Sequence, residues 1–435
     1  VVPDAATWKY LVQVLCQGLR LQAAKLVLRE LRAEAAQRPG QATVLSDLDN
    51  GAALSFYVAQ AACLLGQRPS CERALRRAEA ALGENEGHCC DGEGDSDLFG
   101  DLRRRELAQE VADLRRHLCG QDAGEEALDI VGGFARTFSF PAPLITEEDG
   151  PDGLAAEEAL MLRIRDMRGP SAAAVLASLR RSYGLEECLR RGLTTVEVVE
   201  AGLRRCFRRD GRLRWDRVFG GGVNTGDGEV LPTKLEVCSG TGDWVLAQAQ
   251  AEVGIANWAA CELRADRVQS ILSKMVLSRT SNLCLLGGDA TAILRERILA
   301  GSLKLICVNF PEPPQTGRGE RCDLAESRLH LLTSGFFRLA HVALAVKGRL
   351  TVFSDNMGYM ESLAETLGNL CDWAGDPLFA GTGSSGAAAS VAVRHGLPGR
   401  SDGHAAACAS YFDRFFEHGH HRERYFIAVQ KTDSK

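Results

Sequence analysis

Three carboxylates, Glu236, Glu262 and Asp289, each follow a short apolar run, and two glycines stand just past the first of them. The stretch from Lys234 to Trp244 reads Lys-Leu-Glu-Val-Cys-Ser-Gly-Thr-Gly-Asp-Trp, and apolar residues resume through Val245 and Leu246. Strand, glycine turn and helix in that order form the opening unit of a doubly wound α/β domain. Gly240 and Gly242 let the backbone pass under a ligand where a Cβ would clash. A dinucleotide site requires Gly-x-Gly-x-x-Gly. Counted from Gly240, its third glycine falls on Val245. Glu236 would also repel a pyrophosphate, so the turn suits a ligand that carries positive charge.

The elements that must position these acids follow in register. Ile255 to Cys261 is apolar and ends at Glu262, roughly 20 residues past the glycines, where a strand-end carboxylate can take both hydroxyls of a ribose. Arg264, Asp266 and Arg267 open a helix through Val268, Ile271, Leu272 and Met275. Asn282 to Leu286 reads as a third strand that Gly287, Gly288, Asp289 and Ala290 end, placing Asp289 to accept from an adenine amino group. A fourth strand, Leu303 to Asn309, runs into Phe310-Pro311-Glu312-Pro313-Pro314. The prolines fix their own φ and bias Phe310 and Glu312 toward extended geometry. Arg349 to Phe353 is a fifth strand leading to Ser354 and Asp355, a helix runs from Tyr359 to Leu370, and Arg424 to Val429 is the last strand.

The Phe-Pro-Glu-Pro exit, with Ser354-Asp355 and Ser410-Tyr411-Phe412-Asp413, resembles the tRNA (guanine-N7)-methyltransferases, in their bacterial-type single-chain branch. That family has Phe-Pro-Asp-Pro, Thr-Asp and Thr-x-x-Glu at these three places. The resemblance extends over about 205–435. It implies a Rossmann-like class I methyltransferase sheet with helices on both faces, closed by an antiparallel strand inserted into it. It implies S-adenosylmethionine, whose ammonium and sulfonium match an acid at Glu236, and transfer to N7 of a tRNA guanosine, the variable-loop position 46. Cofactor contacts are then implied at Glu236, Cys238, Gly240, Gly242, Glu262, Asp289, Ala290 and Asn309. Glu312 and Asp355 are implied in catalysis. Substrate contacts are implied at Glu312, Arg318, Asp355, Ser410 and Asp413. No metal is implied.

The chain departs from that pattern in places. Cys238 stands where the family has the first glycine of its turn, Glu312 is one methylene longer than the family's Asp, and Ser410 and Asp413 replace Thr and Glu. The basic residue that follows the family's Phe-Pro-Asp-Pro is missing, its place falling near Thr316, with Arg318 and Arg321 just beyond. Two other readings therefore stay open: a class I methyltransferase on another nucleobase or a small molecule, and a non-catalytic RNA-binding or scaffold homologue.

A net charge of −6 is unusual for a tRNA binder, but it is unevenly spread. Residues 205–435 hold 27 Lys and Arg against 25 Asp and Glu, leaving 24 against 32 in the first 204. RNA contact must rest on local patches: Arg204, Arg205, Arg208, Arg209, Arg212, Arg214 and Arg217, and the cluster from His418 to Arg424. The 15 cysteines lack Cys-x-x-Cys pairs, which argues against zinc. Cys238, Cys261, Cys284 and Cys307 sit in or beside apolar strands as small hydrophobes, and a reducing intracellular compartment is expected. His88, Cys89 and Cys90 lie in an acidic, Gly-rich loop over 84–97. No apolar run reaches the roughly 18 residues a membrane helix needs. The sequence begins at Val1, so a fragment is expected, with any targeting peptide outside it.

Apolar residues at helical spacing on both sides of Gly18, over 6–33, resemble a pentatricopeptide-type hairpin, with a second pair at Leu54–Leu65 and Ser70–Leu82. Such hairpins bury a core by stacking. They leave open an RNA contact or a partner subunit. Leu102, Leu107, Val111, Leu114 and Leu118 make one stripe of a further helix. The expected division is 1–125 all-α, 126–204 linker and helical segment with helix over 155–209, and 205–435 methyltransferase domain. Residues 132–153 read as linker, and within the methyltransferase domain 220–232 reads as a glycine-rich approach to the first strand and 381–389 and 397–407 as mobile insertions.

Overall fold

Parallel strands covered on both faces need near-continuous apolar sequence, and this chain supplies it five times. The computed structural model describes residues 5–37, 48–83, 97–120, 130–140, 196–220, 231–313, 330–382, 390–406, 412 and 423–432. The strands are β1 (Thr137–Ser139), β2 (Thr233–Val237), β3 (Asn257–Glu262), β4 (Leu283–Gly287), β5 (Leu303–Asn309), β6 (Leu344–Ser354), β7 (Phe379–Gly381), β8 (Arg394–His395) and β9 (Tyr425–Lys431). They form one sheet in the order β1-β4-β3-β2-β5-β6-β9-β7, with β8 also on β9. Every residue of β3 and β4 is buried.

β1 to β6 pair in parallel, and β9 enters antiparallel between β6 and β7. This is the closing strand the resemblance implies. The helices α9 (Asp243–Ala251), α10 (Ala265–Leu277), α11 (Ala290–Glu296), α12 (Ser334–Ala343) and α13 (Met357–Gly368) follow β2 to β6 in turn. The chain runs outward from β2 through β3 to β4, then returns to β5 and β6 on the other side of β2. Right-handed crossovers make that reversal put the later helices on the opposite face. Between β2 and β5 lies the switch point where such sheets bind ligands, at the carboxyl ends of the strands.

An N-terminal helical region is present. α1 (Ala5–Gln17) and α2 (Leu21–Gln37) flank Gly18, and α3 (Leu48–Leu64) and α4 (Arg68–Gly83) form the second pair. In α5 (Asp97–Gly120) the expected stripe buries Val111, Leu114 and Leu118. Arg115 clamps Glu79 of α4 with bonds of 2.9 and 2.6 Å. The chain forms two compact units, this helical one, which takes in Leu272–Arg279, and the one holding the sheet. Among the described residues no helix is long and apolar enough to cross a membrane.

Three expectations need correction. The stretch expected as linker contains α6 (Ile130–Ala135) and then β1, which pairs with β4. Phe138 is fully buried there and meets Phe207 edge-on at 5.6 Å. The helix expected to reach Arg209 ends at Arg205, as α7 (Val196–Arg205). Beyond it the chain turns into a hairpin in which Phe207 bridges Leu213 and Arg208 N–H bonds the Arg212 carbonyl at 2.8 Å. α8 (Trp215–Val218) follows.

The described part of 397–407 is packed rather than loose. Gln248 of α9 accepts from the Ala405 and Ala406 amides and donates to the Ala406 carbonyl. Thr351 Oγ1 donates to the Asp402 carbonyl at 2.7 Å, and Asp402 and His404 are buried. Small residues are needed here for close approach: a Cβ on Gly403 would lie 2.4 Å from Leu305, and its φ is +100°. The other expected insertion, 381–389, falls almost wholly outside the described residues.

Candidate active site

Each expected strand-end acid that is described stands where a parallel strand stops. Glu236 is 2% exposed near the end of β2. Its Oε1 accepts from Asn309 Nδ2 at 2.7 Å, across the β2–β5 switch point. Among the described residues its Oε2 has no partner, and neither has Asn309 Oδ1. Burial pushes the Glu236 carboxyl up to about 8, against the opposing hydrogen bonds from Asn309 and Ser239. A buried acid left half-satisfied at a strand exit is a costly arrangement unless something charged completes it.

Glu262, 5% exposed at the end of β3, is tied into the glycine turn. Its Oε2 accepts from the Gly240 amide at 2.8 Å and its Oε1 from the Arg264 amide at 3.0 Å. One carboxylate therefore fixes the turn and the start of α10. Each oxygen keeps a second lone pair. Asp289, exposed after β4, caps α11 by accepting from Ala292 N–H at 2.8 Å. The cap uses one of its oxygens. Ala290 is buried in the first turn of that helix. Phe140, just past β1, bonds the Gly287 carbonyl at 2.6 Å, so the unexpected edge strand reaches the Asp289 end of the site.

The turn itself is left-handed at three places: Cys238 (φ +60°), Gly240 (+56°) and Gly242 (+82°). At Gly242 glycine is obligatory, since a Cβ would lie 2.5 Å from Ile271. At Gly240 no atom of the described residues other than its chain neighbours lies within 4 Å of that position, leaving open space above the turn. Cys238, the residue in place of the family's first glycine, bears an exposed thiol and holds the same hand at a steric cost.

Phe310 also has a left-handed φ, +47°. The extended geometry expected before Pro311 does not hold there. A bond from its amide to the Phe353 carbonyl at 2.7 Å, and ring packing on Phe353 at 4.7 Å, fix it instead. This bond ties the exits of β5 and β6 together. Glu312 and Asp355 each lie two residues beyond it, Glu312 exposed and Asp355 half-buried. Strained backbone of this kind concentrates at functional sites.

Arg318, Ser410 and Asp413 lie outside the described residues, as do Thr316, Arg321 and most of the cluster from His418 to Arg424. Phe412 is described, and its ring stands 5.0 Å from Phe310. Sequence reasoning missed Phe140 and Phe310. Their placement depends on contacts between distant segments, and only the Phe-Pro dipeptide carried any local signal.

Comparison with known proteins agrees with this geometry. Residues 231–373 match the family described as putative methyltransferase. The tRNA (guanine-N(7)-)-methyltransferase of Chlamydia trachomatis is 36% identical over 146 residues, 34% of this chain and 58% of that protein. The protein of the same name from Chlamydia felis is 45% identical over 82 residues, 19% of this chain and 36% of that one. The chain thus spans 58% and 36% of the length of these two curated relatives. The solved structure of TrmN from Thermus thermophilus is similar over 49% of this chain and 48% of its own, at 16% identity and a TM-score of 0.30. Residues 231–373 are therefore similar to the family described as putative methyltransferase, and part of the chain is similar in sequence to proteins named tRNA (guanine-N(7)-)-methyltransferase.

Proposed function

We propose that this chain transfers a methyl group from S-adenosylmethionine to N7 of a guanosine in tRNA, the variable-loop position 46 type. The observation that carries the reading is the half-satisfied, buried Glu236 beside an open glycine turn that Glu262 holds in place. The residues fit the cofactor: a buried carboxylate for its cations, a strand-end acid for its ribose and Asp289 for its adenine. When bound, the cofactor supplies an electrophilic methyl on sulfur.

Guanine N7 has a free lone pair and no proton, so no general base is required. The chain's work is placement and charge. Glu312 and Asp355 flank the tied exits of β5 and β6 and face the cationic base that methylation produces. Ser410 and Asp413 hold the guanine edge in this reading, and Phe412 against Phe310 supports it. Seven arginines against two aspartates between Arg204 and Arg217 supply the phosphate contacts, on the hairpin beside β1. The methyltransferase domain is then the sheet unit, with the helical region available for RNA or a partner subunit.

A second reading has one specific observation behind it. Cys238 is strained where the family has glycine, which suits a homologue that has lost turnover. Incubation with labelled S-adenosylmethionine and an unmodified tRNA transcript separates the two. Label at a guanine N7 supports transfer. Cofactor binding with no label in any RNA supports the non-catalytic homologue.

A further inference from the structure

Gln248 lies on the buried face of α9, where an apolar side chain would serve packing alone. Its amide is spent on one short segment. Oε1 accepts from the Ala405 and Ala406 amides at 2.7 and 2.9 Å, and Nε2 donates to the Ala406 carbonyl at 2.7 Å. Those two alanines belong to no helix or strand, so their backbone groups need a side chain to satisfy them. One turn earlier on the same face of α9, Trp244 packs on His404, with ring centroids 4.7 Å apart. The His404 ring also meets Phe353 of β6 edge-on, at 5.9 Å and 82°. From Phe353 the contacts continue to Phe310 at 4.7 Å, and from Phe310 to Phe412 at 5.0 Å. One line of rings thus runs from the first turn of α9, beside Gly242, to Phe412, which stands between Ser410 and Asp413 in sequence.

We propose that Gln248 is a positioning residue. It clamps 404–406 onto α9, so that His404 stays wedged between Trp244 and Phe353 and steadies the tied exits of β5 and β6 on which Phe412 rests. The part this plays in methyl transfer rests on the proposed function; the clamp and its hold on Phe310 do not. Removing the Gln248 amide leaves two backbone N–H groups and a carbonyl without their partner, and the segment moves toward water and takes His404 with it. Phe353 then loses a neighbour, and the bond from the Phe310 amide to the Phe353 carbonyl opens more often. The glycine turn is held separately, by Glu262, so the cofactor end of the site stays as it was.

The test uses the full chain and three variants: Gln248→Met, which keeps length and volume, His404→Ala and His404→Phe. Without any ligand, Gln248→Met raises amide exchange at Ala405 and Ala406 about 10-fold or more, since both amides lose their acceptor. Exchange at Phe310 rises about threefold or more, while β2, β3 and β4 exchange at the wild-type rate. On tRNA, kcat falls about 10-fold, as for a slightly misplaced reacting group. KM for tRNA and cofactor affinity stay within about twofold, because the phosphate contacts and Glu262 are untouched. His404→Ala reproduces the Phe310 exchange and the loss in kcat, and His404→Phe, which keeps a ring between Trp244 and Phe353, restores both. Unchanged exchange at Ala405 and Ala406 in Gln248→Met overturns the clamp. Raised exchange there with Phe310 exchange and kcat at wild type overturns the positioning role, and so does cofactor affinity that falls in step with kcat. If wild type transfers no methyl, the proposed function fails on its own, and exchange at the three amides still decides the clamp and its reach to Phe310. Should Gln248→Met fold poorly, His404→Ala and His404→Phe give the Phe310 readout in its place.

Discussion

At the scale of single residues, Glu236 makes the sharpest claim. Its carboxyl is pushed up to about 8 in the folded protein, against an ordinary 4.5. A folded value raised above the unfolded one gives a contribution that is fully present below about 4.5. It is lost as pH rises through 8, at about 1.4 kcal/mol per pH unit in that window. Glu236→Gln carries no such penalty. Urea unfolding of the ligand-free protein should therefore show the variant gaining on wild type from pH 5 to 8 and levelling off above. Calorimetry on the same variant should show weaker binding of S-adenosylmethionine, since the charge facing its cations is gone. A constant stability difference across that range would mean the carboxylate is solvated. Glu236, Glu262 and Asp289 were legible because each ends an apolar run. The bond from Asn309 to Glu236 was not, because it joins strands whose pairing only the topology fixes.

At the scale of elements, the strands were legible and their accessories were not. β2 to β6 and β9 are written in runs of apolar residues with turn residues after them. β1 has only three residues and two prolines shortly after it, so composition favoured a linker; what makes it a strand is Phe138 and Phe140 packing on Phe207. The stretch 397–406 reads as loose because it is rich in small residues. Those small residues are what let it lie close on β5 and α9. Gly403→Ala should accordingly cost about 1–3 kcal/mol, through a left-handed φ and a clash with the Leu305 side chain. A shift in the urea midpoint is the readout, and a midpoint equal to wild type would return the segment to the status of a loose loop. Two buried histidines, His404 in this segment and His341 in α12, add to the pH dependence of stability. Burial lowers His404 and His341 to about 4, so their contribution is intact above about 6.5 and is lost as pH falls toward 4.

At the scale of the whole molecule, every described site residue lies in the unit that holds the sheet. That unit begins at Ala135, so β1 belongs to it. A chain starting near residue 130 should fold and bind the cofactor. One starting near 200 lacks β1, bares the edge of β4 and uncovers Phe207. Thermal unfolding should place it lower, and equal melting temperatures for the two would mean β1 is dispensable. The central claim, that acids at the exits of these strands carry methyl transfer, is tested most directly by one rate. That rate is the single-turnover appearance of 7-methylguanosine in an unmodified tRNA transcript, with wild type and Glu312→Gln compared at saturating cofactor. The variant keeps size and most hydrogen bonding but loses the charge facing the cationic product. Its rate should be about 100-fold lower, with cofactor affinity unchanged. Equal rates, or no 7-methylguanosine from wild type, would contradict the account.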